Sequence, residues 1–424
     1  MIDASNRSGY AGADVSAVIS GAGVSRPTFY EYFEDRDTCL RASIEDVQDE
    51  LLASLEHALH ERAGHEAMAI AVEALVAYAA EHPARARFLM GSAMGGGTGA
   101  LELRDRGIAR VADAIERFQR RSKGGERLPD LDAGLLVGTV YRLLATRLRR
   151  SEAVVAAREE LLGWLHAYER GAEQLRWRTL RPRRVPGPVP QVPTLPVQQL
   201  PALLPPGRTR LPEGEVAENH RLRILYAVAR LAAEKGYAAT RVADITRVAR
   251  VDGRILYRHF SDKHDAFQAV HELGFQQVMD VTARAYFAAE GWPQRSWEAA
   301  RALTALLQQN PLVAHVGFVE AYAVGPGAVQ RIEDSHTAFV LFLQEGLVYA
   351  PQEHPPSRIA MEAIIASVFE VIYLQARRPE RTEIAAMLPY IAHLWLTPFL
   401  GSEDADSFID QQLKRPAPPR RRKG

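Results

Sequence analysis

Apolar residues recur every three or four positions along most of this 424-residue chain, which is the spacing of one face of an α-helix. Residues 71–78 show the spacing in the first half, and residues 299–307 and 359–373 show it in the second half. Strand-like alternation of apolar and polar residues is hard to find. The pattern predicts an all-α fold on both sides of the chain's centre.

The helical pattern stops between residues 178 and 215, where prolines stand at 182, 186, 188, 190, 193, 196, 201, 205, 206 and 212. No α-helix tolerates that density, and such a chain favours extended polyproline II structure. About 30 residues of it could reach on the order of 90 Å. Since the chain is also longer than one hydrophobic core usually serves, we expect a proline-rich linker between two helical parts.

The two parts repeat each other at a constant offset of 227 residues. The matching pairs are Gly9 and Gly236, Tyr10 and Tyr237, Val24 and Val251, Tyr30 and Tyr257, and Phe33 and Phe260. An offset that stays constant over a whole segment indicates an internal duplication.

The segment after the linker reads as three helices. Residues 221–234 predict an amphipathic first helix, Thr240 is expected to cap a short second helix, and Asp252 is expected to cap a third over residues 253–260. A tight turn joins the last two, which is typical of a helix-turn-helix. The third helix is predicted to direct Leu256 and Phe260 to the core and to expose Tyr257, Arg258, His259 and Arg254, a face that suits a DNA major groove.

The first half repeats this helix as AGVSRPTFYEYF over residues 22–33. Gly-Tyr, a later valine, Tyr-x-x-Phe and a basic residue three positions on together resemble the TetR family of bacterial transcription regulators. The resemblance implies two tandem units, each with a helix-turn-helix head and a larger helical domain for ligand binding and dimerisation.

The resemblance also assigns DNA contacts. Ser25, Arg26 and Thr28 would face bases or nearby phosphates, Tyr30 would touch the backbone, and Arg36 would meet a phosphate at the start of a fourth helix. Thr240 corresponds to the family threonine that opens the second helix near phosphate. The predicted DNA-binding residues are Ser25, Arg26, Pro27, Thr28, Tyr30, Tyr32 and Arg36 in the first head, and Thr240, Arg241, Arg254, Ile255, Tyr257, Arg258, His259 and Lys263 in the second.

The two heads differ in length and charge. The first head is expected to have a truncated first helix, because the sequence offers only nine residues up to Gly9 for it. Residues 1–45 carry four basic and seven acidic side chains. Residues 215–270 carry ten basic and seven acidic side chains, so the second head is the better DNA-binding candidate. Against it, Arg250 replaces the turn glycine Gly23, and Asp252 places a negative charge near the expected phosphates.

The remaining helices are predicted to form two regulatory domains. We expect heads at 1–45 and 216–270, regulatory domains at 46–177 and 271–412, the linker at 178–215 and a basic disordered tail at 413–424. A small-molecule effector pocket is predicted in the second regulatory domain. The aromatic residues expected to line it are Phe318, Tyr322, Phe339, Phe369 and Tyr373.

Bulk composition limits the function classes. Lys and Arg balance Asp and Glu at 52 each, so DNA contact must come from local patches. The single cysteine, Cys39, fits a reducing cytosol, and no cluster predicts a metal, a cofactor or catalysis, so an enzyme is not expected. Residues 361–374 are apolar but too short to span a bilayer and are expected to form a buried helix. The absence of a secretory pattern at the N-terminus favours the cytoplasm, with the protein at the nucleoid.

These observations favour a ligand-responsive repressor that binds a double-stranded DNA operator. One chain carries both units, so they could pair with each other as an intramolecular pseudo-dimer on an asymmetric operator. Alternatively, each unit pairs with its copy in a second chain as a homodimer. A different class of function is a helical scaffold or ligand sensor in which one or both heads are vestigial.

Overall fold

A computed structural model of the protein describes residues 1–62, 66–121, 127–204, 211–324, 326–377 and 382–414. In this part of the chain, α-helices account for nearly all regular structure. Two three-residue strands, β1 (Arg127–Pro129) and β2 (Glu169–Gly171), pair antiparallel with Arg127 opposite Gly171. The predicted all-α fold is confirmed.

The helices before the linker are α1 (Ile2–Gly12), α2 (Val15–Ala22), α3 (Arg26–Tyr32), α4 (Arg36–Glu61), α5 (Ala67–Glu81), α6 (Pro83–Met90), α7 (Thr98–Arg121), α8 (Ala133–Arg149) and α9 (Arg158–His166). Those after it are α10 (Glu213–Lys235), α11 (Val242–Ala249), α12 (Gly253–His259), α13 (Lys263–Phe287), α14 (Trp292–Gln309), α15 (Pro311–His315), α16 (Ala321–Val324), α17 (Pro326–Gln344), α18 (Arg358–Ala376), α19 (Leu388–Leu400) and α20 (Ser402–Lys414). A π-helical turn, Val316–Glu320, joins α15 to α16.

The chain divides into two compact units. Unit 1 consists of Met1–Arg181, Ile332–Val371 and the described part of Pro389–Arg415. Unit 2 consists of Pro182–Arg331 and Ile372–Leu388. Unit 1 therefore combines α1 to α9 with most of α17 and α18 and nearly all of α19 and α20, so segments from both sides of the linker share its core.

The core of unit 1 contains a buried ionic cluster. The Glu370 carboxylate of α18 accepts hydrogen bonds from Arg104 Nη2 at 2.8 Å and from Arg142 Nη2 at 2.8 Å. All three side chains are at most 4% exposed. Gly138 lies against the same carboxylate, where an added Cβ would stand 2.6 Å from Glu370 Oε1. Each charge in this cluster depends on the others, because a buried charge without a partner is strongly destabilising.

The apolar stretch at 361–374 lies in α18, as expected. Among the described residues, α18 is the one helix long and apolar enough to cross a membrane, and 78% of its most apolar window is buried inside the protein. A mostly buried apolar helix is the normal core element of a water-soluble domain.

The proline-rich segment is extended, with a short 3₁₀ turn at Pro196–Gln198, but it is not a solvated spacer. Its Val197 is fully buried in unit 2, and the Asn310 side chain accepts a hydrogen bond from Leu195 N at 2.7 Å and donates to Pro193 O at 2.9 Å. This segment packs because it has apolar residues between its prolines, and because the Asn310 side chain, between α14 and α15, satisfies backbone groups of Pro193 and Leu195. Of the predicted tail, residues 413 and 414 end α20 and the rest lies outside the described residues.

Candidate nucleic-acid interface

Each half of the chain folds three consecutive helices ahead of a long fourth one. In unit 1 these are α1 to α3 followed by α4, and in unit 2 they are α10 to α12 followed by α13. We call α1 to α3 the first head and α10 to α12 the second head. The short first helix of the first head is present before a break at Gly9, whose φ of 68° is non-helical, and α10 begins eight residues earlier than its apolar pattern predicted.

The turn before the third helix has the same geometry in both heads. Gly23 ends α2 with φ 67°, and Arg250 ends α11 with φ 51°, so both occupy the left-handed region. Ser25 then caps α3 by accepting from Thr28 N at 3.2 Å, and Asp252 caps α12 by accepting from Arg254 N at 2.7 Å. The expected Asp252 cap is confirmed, and the equivalent turns show that Arg250 does not break the motif.

Replacing Arg250 with glycine is expected to stabilise unit 2 by about 0.5–1 kcal/mol. A non-glycine residue in the left-handed conformation costs roughly 1–2 kcal/mol, which the greater freedom of glycine in the unfolded chain partly offsets. The reciprocal change Gly23→Ala should destabilise unit 1 by a similar amount. Chemical denaturation of both variants would measure this, and an Arg250→Gly variant less stable than the parent would contradict it.

A cation stacked on tyrosine ties each head to its fourth helix. The Arg36 guanidinium lies 4.1 Å from the centre of the Tyr10 ring, and Lys263 Nζ lies 4.3 Å from that of the Tyr237 ring. Lys263 also donates to the carbonyls of Tyr237 and Thr240 at 3.1 and 2.9 Å. Partial burial lowers the pKa of this lysine. Both cations, predicted as phosphate contacts, begin α4 and α13 as expected but also brace the heads.

The predicted helix cap at Thr240 is wrong. The Thr240 hydroxyl is buried and donates to Gly236 O at 2.8 Å, so it closes the preceding loop. Arg241 is the N-cap of α11, and its backbone N–H donates to Asp244 Oδ2 at 3.3 Å. The Thr240 hydroxyl bonds to the carbonyl of Gly236, the residue that ends α10, instead of capping α11. Carbonyl groups at the end of a helix have no partner within the helix, so they accept hydrogen bonds from nearby side chains. Arg241 itself is exposed, as a DNA contact requires.

The third helix of the second head presents a cationic face. Arg254, Tyr257 and Arg258 are exposed, while Leu256 is fully buried. Ile255 and His259 are half-buried. The buried Leu256 and Phe260 and the exposed arginines agree with the prediction from the sequence, whereas His259, which was predicted to be exposed, is only partly so. Two arginines are directed to solvent on this seven-residue helix. Such a helix can enter a major groove with its polar side chains forward.

The third helix of the first head is exposed but carries fewer cations. Ser25, Arg26 and Pro27 are exposed, Thr28 is half-buried, and Phe29 packs into the head's core. Tyr30 and Tyr32 are 50% and 77% exposed. Arg26 is the one basic residue of this helix, and its Nη2 lies 3.3 Å from Ser16 Oγ. This face offers hydroxyls and aromatic rings with little positive charge.

Two histidines, His220 and His259, lie beside the cationic face of the second head. Burial, then His220, Arg258 and Arg221, lower the pKa of His259, with Glu218 opposing. His220 on α10 is shifted in the same direction by burial and by nearby arginines. The mutual repulsion of these groups indicates a positive local potential that an anion would relieve.

Sequence reasoning missed two buried groups that hold the second head. Arg223, 2% exposed, donates from Nε to Ala249 O at 2.8 Å and from Nη1 to Pro201 O, joining α10 to the end of α11 and to the proline-rich segment. Glu320, 1% exposed, accepts from Tyr237 N at 2.7 Å and lies 3.4 Å from His315 Nε2. The sequence does contain a signal for both residues, because each is a charged residue within a run of mostly apolar helical positions.

The predicted effector pocket finds no geometric support. Phe318, Tyr322 and Tyr373 belong to unit 2, and Phe339 and Phe369 belong to unit 1. All are buried except Tyr322, which is half-buried. None of the five lines the cavity of about 260 Å³ in unit 1. A pocket on these residues stays a prediction.

Both heads match the same model of a known protein family. Residues 6–42 and residues 224–270 each match the family described as "Bacterial regulatory proteins, tetR family". The two matches contain the equivalent turns, caps and third helices described above. No curated protein matches the chain.

Several solved structures are similar to part of the chain. A TetR family transcription regulator from Marinobacter aquaeolei VT8 is 16% identical, covering 47% of this chain and 96% of its own (TM-score 0.34). A bacterial regulatory protein in the tetR family from Rhodococcus RHA1 is 19% identical over 47% and 97% (TM-score 0.32). A TetR-like transcriptional regulator from Rhodococcus sp. RHA1 is 16% identical over 46% and 100% (TM-score 0.36).

Proposed function

Because this chain is a two-unit TetR-like protein with a DNA-binding regulator domain in each half, we propose that it is a sequence-specific, ligand-responsive repressor. It acts in the cytoplasm at the nucleoid and binds a double-stranded DNA operator. The second head makes the main contacts with bases and phosphates. The first head contributes a weaker half-site.

One observation carries this proposal. Arg254 and Arg258 are solvent-exposed on α12, a helix whose position is set by the Asp252 cap and the buried Leu256. A rigid helix with outward guanidinium groups is the chemistry that reads guanine edges and phosphates in a major groove. The corresponding face of α3 carries Arg26 alone.

We further propose that the two repeats of one chain pair with each other. Within unit 1, Tyr168 of the first repeat donates to Leu394 O at 2.7 Å, and Asp132 N donates to Tyr390 Oη at 3.0 Å. His393 Nε2 lies 3.0 Å from Asp130 O. These contacts, together with the Glu370 cluster, support an intramolecular pseudo-dimer, because helices of both repeats supply a single core.

A pseudo-dimer with unequal heads has a direct consequence for the operator. A symmetric dimer reads two identical half-sites, whereas two different third helices read two different sequences. Residues 1–45 are net acidic and residues 215–270 are net basic. The affinity of each head for its half-site should therefore depend differently on salt concentration. The operator is therefore expected to be asymmetric.

The experiment that tests this function is sequencing of genomic DNA fragments retained by the purified full-length chain at stated salt concentrations, together with its mass in solution. One enriched asymmetric site bound by a monomer is the expected result. A palindromic site bound by two chains would replace the pseudo-dimer by a homodimer. No enriched site at any salt concentration would instead favour a scaffold with vestigial heads.

DNA affinity is expected to rise as the pH falls from 8 to 6. In the free head the pKa values of His220 and His259 are lowered, so both rings are largely neutral at pH 7. Nearby phosphates raise these pKa values, so binding takes up protons and is favoured at lower pH. The increase should be roughly 3- to 10-fold over this range at constant ionic strength.

Fluorescence anisotropy with a labelled operator would measure this dependence. The variant His220→Gln/His259→Gln should bind with little change across the range. His354→Gln, at an exposed position in unit 1, should behave like the parent chain. An unaltered pH profile in the double variant would exclude these two histidines as its source.

A further inference from the structure

The proline-rich segment contacts both the second head and the body of unit 2, a name we use for α14 and α15. At the body, Gln309 Nε2 of α14 donates to Thr194 Oγ1 at 2.8 Å. Further along the segment, Asn219 Nδ2 of α10 donates to Ala202 O at 3.1 Å. The segment therefore bridges the body and the head within unit 2.

Between these two contacts, the 3₁₀ turn Pro196–Gln198 packs against both α10 and α15. Val197 in this turn is fully buried, and Leu195 just before it is 4% exposed. Gln198 Oε1 also accepts a hydrogen bond from Leu312 N of α15 at 3.4 Å. Burial of apolar side chains against two helices at once favours one arrangement of those helices. The turn is thus wedged between the head and the body.

Arg223 connects the segment to the turn that precedes α12. Its Nη1 donates to Pro201 O, and its Nε donates to Ala249 O at 2.8 Å. Ala249 ends α11 and is followed by Arg250, whose left-handed backbone leads to the Asp252 cap of α12. A buried guanidinium keeps both carbonyl partners, because losing either would leave polar groups unsatisfied. The position of the segment is therefore linked to the start of α12.

The segment holds α10 far from the other link between head and body. At the end of α10, Tyr237 N donates to Glu320, which follows α15. Arg223 and Lys235, the last residue of α10, are 12 positions apart, which is about 18 Å along a helix axis. A helix held near both ends pivots less than a helix held at one end. The segment is placed to restrict the orientation of the head.

We propose that the proline-rich segment is a brace that orients the second head, and that Arg223 is the positioning residue between this brace and α12. Its consequence for DNA rests on the proposed repressor function. A head held in its binding orientation loses less freedom when it meets DNA, so it binds more tightly. It also accepts a narrow range of distances between half-sites.

Distances between two spin labels test the brace without DNA. The labels are placed at Ala243→Cys on α11 and Ala288→Cys at the end of α13, both exposed, after Cys39→Ala removes the single native cysteine. Val197→Asp puts a carboxylate at a fully buried position, so the turn should leave its site and the distance distribution should widen about twofold. Val189→Asp is the matched control, since this position of the same segment is 77% exposed, and it should leave the distribution unchanged.

A second variant tests the link to α12. Arg223→Met keeps most of the side-chain volume but removes both hydrogen bonds, and it should also widen the distribution. Its control is Arg230→Met on the same helix, where the arginine is exposed and pairs with Glu234. A lower urea midpoint with an unchanged distribution in both test variants would mean that the segment only stabilises unit 2, which would overturn the brace. Equal widening in the test variants and their controls would overturn it as well.

The operator recovered from genomic DNA tests the consequence for binding. The parent chain should bind it at least about 10-fold more tightly than the same operator with two base pairs added between its half-sites. In Val197→Asp, the affinity for the original operator should fall and this preference should shrink to less than about 3-fold, because a loose head reaches both spacings. Equal losses on the two operators would overturn the positioning role. Absence of specific binding by the parent chain would contradict the repressor function alone, since the distance measurement needs no DNA.

Discussion

Replacing both Arg254 and Arg258 with alanine is expected to lower the affinity of the chain for its operator by about 100-fold or more. Each arginine that contacts a guanine edge contributes roughly 1–3 kcal/mol to the free energy of specific binding. Each phosphate contact adds about one unit to the slope of log affinity against log salt concentration. Both side chains are exposed on α12, so their removal leaves no cavity and no buried partner behind. Anisotropy titrations at several salt concentrations would give the affinity and the slope together.

The control is the variant Arg230→Ala/Arg284→Ala. It removes the same charge from unit 2, but both arginines pair with acidic residues four positions away on their own helices. The affinity should change by less than about 3-fold, since exposed ion pairs and distant charges contribute little. Equal losses in both double variants would show that the effect is one of net charge and not of contact by α12.

Removing the cation of α3 in the first head should lower operator affinity less than removing the two arginines of α12. Arg26→Ala is expected to lower operator affinity by roughly 10-fold or less, because Arg26 is the only basic residue of α3 and the surrounding head is net acidic. Anisotropy with DNA carrying one altered half-site at a time would assign the loss to the correct end of the operator. A loss as large as that of the double variant would mean that the heads contribute equally.

The residues that repeat at an offset of 227 explain why so much of the heads was predictable. Apolar spacing, a left-handed turn and a capping side chain act over a few residues, so both copies show them in sequence. Arg250 matched Gly23 in conformation although its residue type argued against it. Thr240 was misassigned because its hydroxyl had two available partners, and the Gly236 carbonyl won.

Contacts between distant residues could not be predicted in the same way. Glu370 lies 266 and 228 residues from its two arginines, and Glu320 lies 83 residues from the Tyr237 amide. Local periodicity indicates that such residues face inward but does not indicate which charge they meet. The proline-rich segment was misread for the same reason, since its Asn310 partner lies more than 110 residues away.

Glu370→Ala is expected to destabilise unit 1 by about 3–5 kcal/mol, because it leaves Arg104 and Arg142 buried without their shared carboxylate. Burial alone would raise the pKa of Glu370, but the two guanidinium groups hold it below its ordinary value. The stabilisation is therefore present above the pKa of the unfolded carboxyl, near 4.3, and is lost as the pH falls through the lower folded value. Urea denaturation at pH 7 and pH 3 would measure both effects.

Two further variants identify the cause. Glu362→Ala removes a partly exposed carboxylate from the same helix and should cost less than about 1 kcal/mol. The triple change Arg104→Met/Arg142→Met/Glu370→Leu removes all three buried charges and should recover most of the lost stability, because apolar side chains of similar size can replace a buried ionic cluster. If Glu370→Ala were no more costly than Glu362→Ala, the cluster would not hold α18 in the core of unit 1. The pairing of the two repeats would then have to rest on other contacts in unit 1, such as those that Tyr168, Asp132 and Asp130 make with α19.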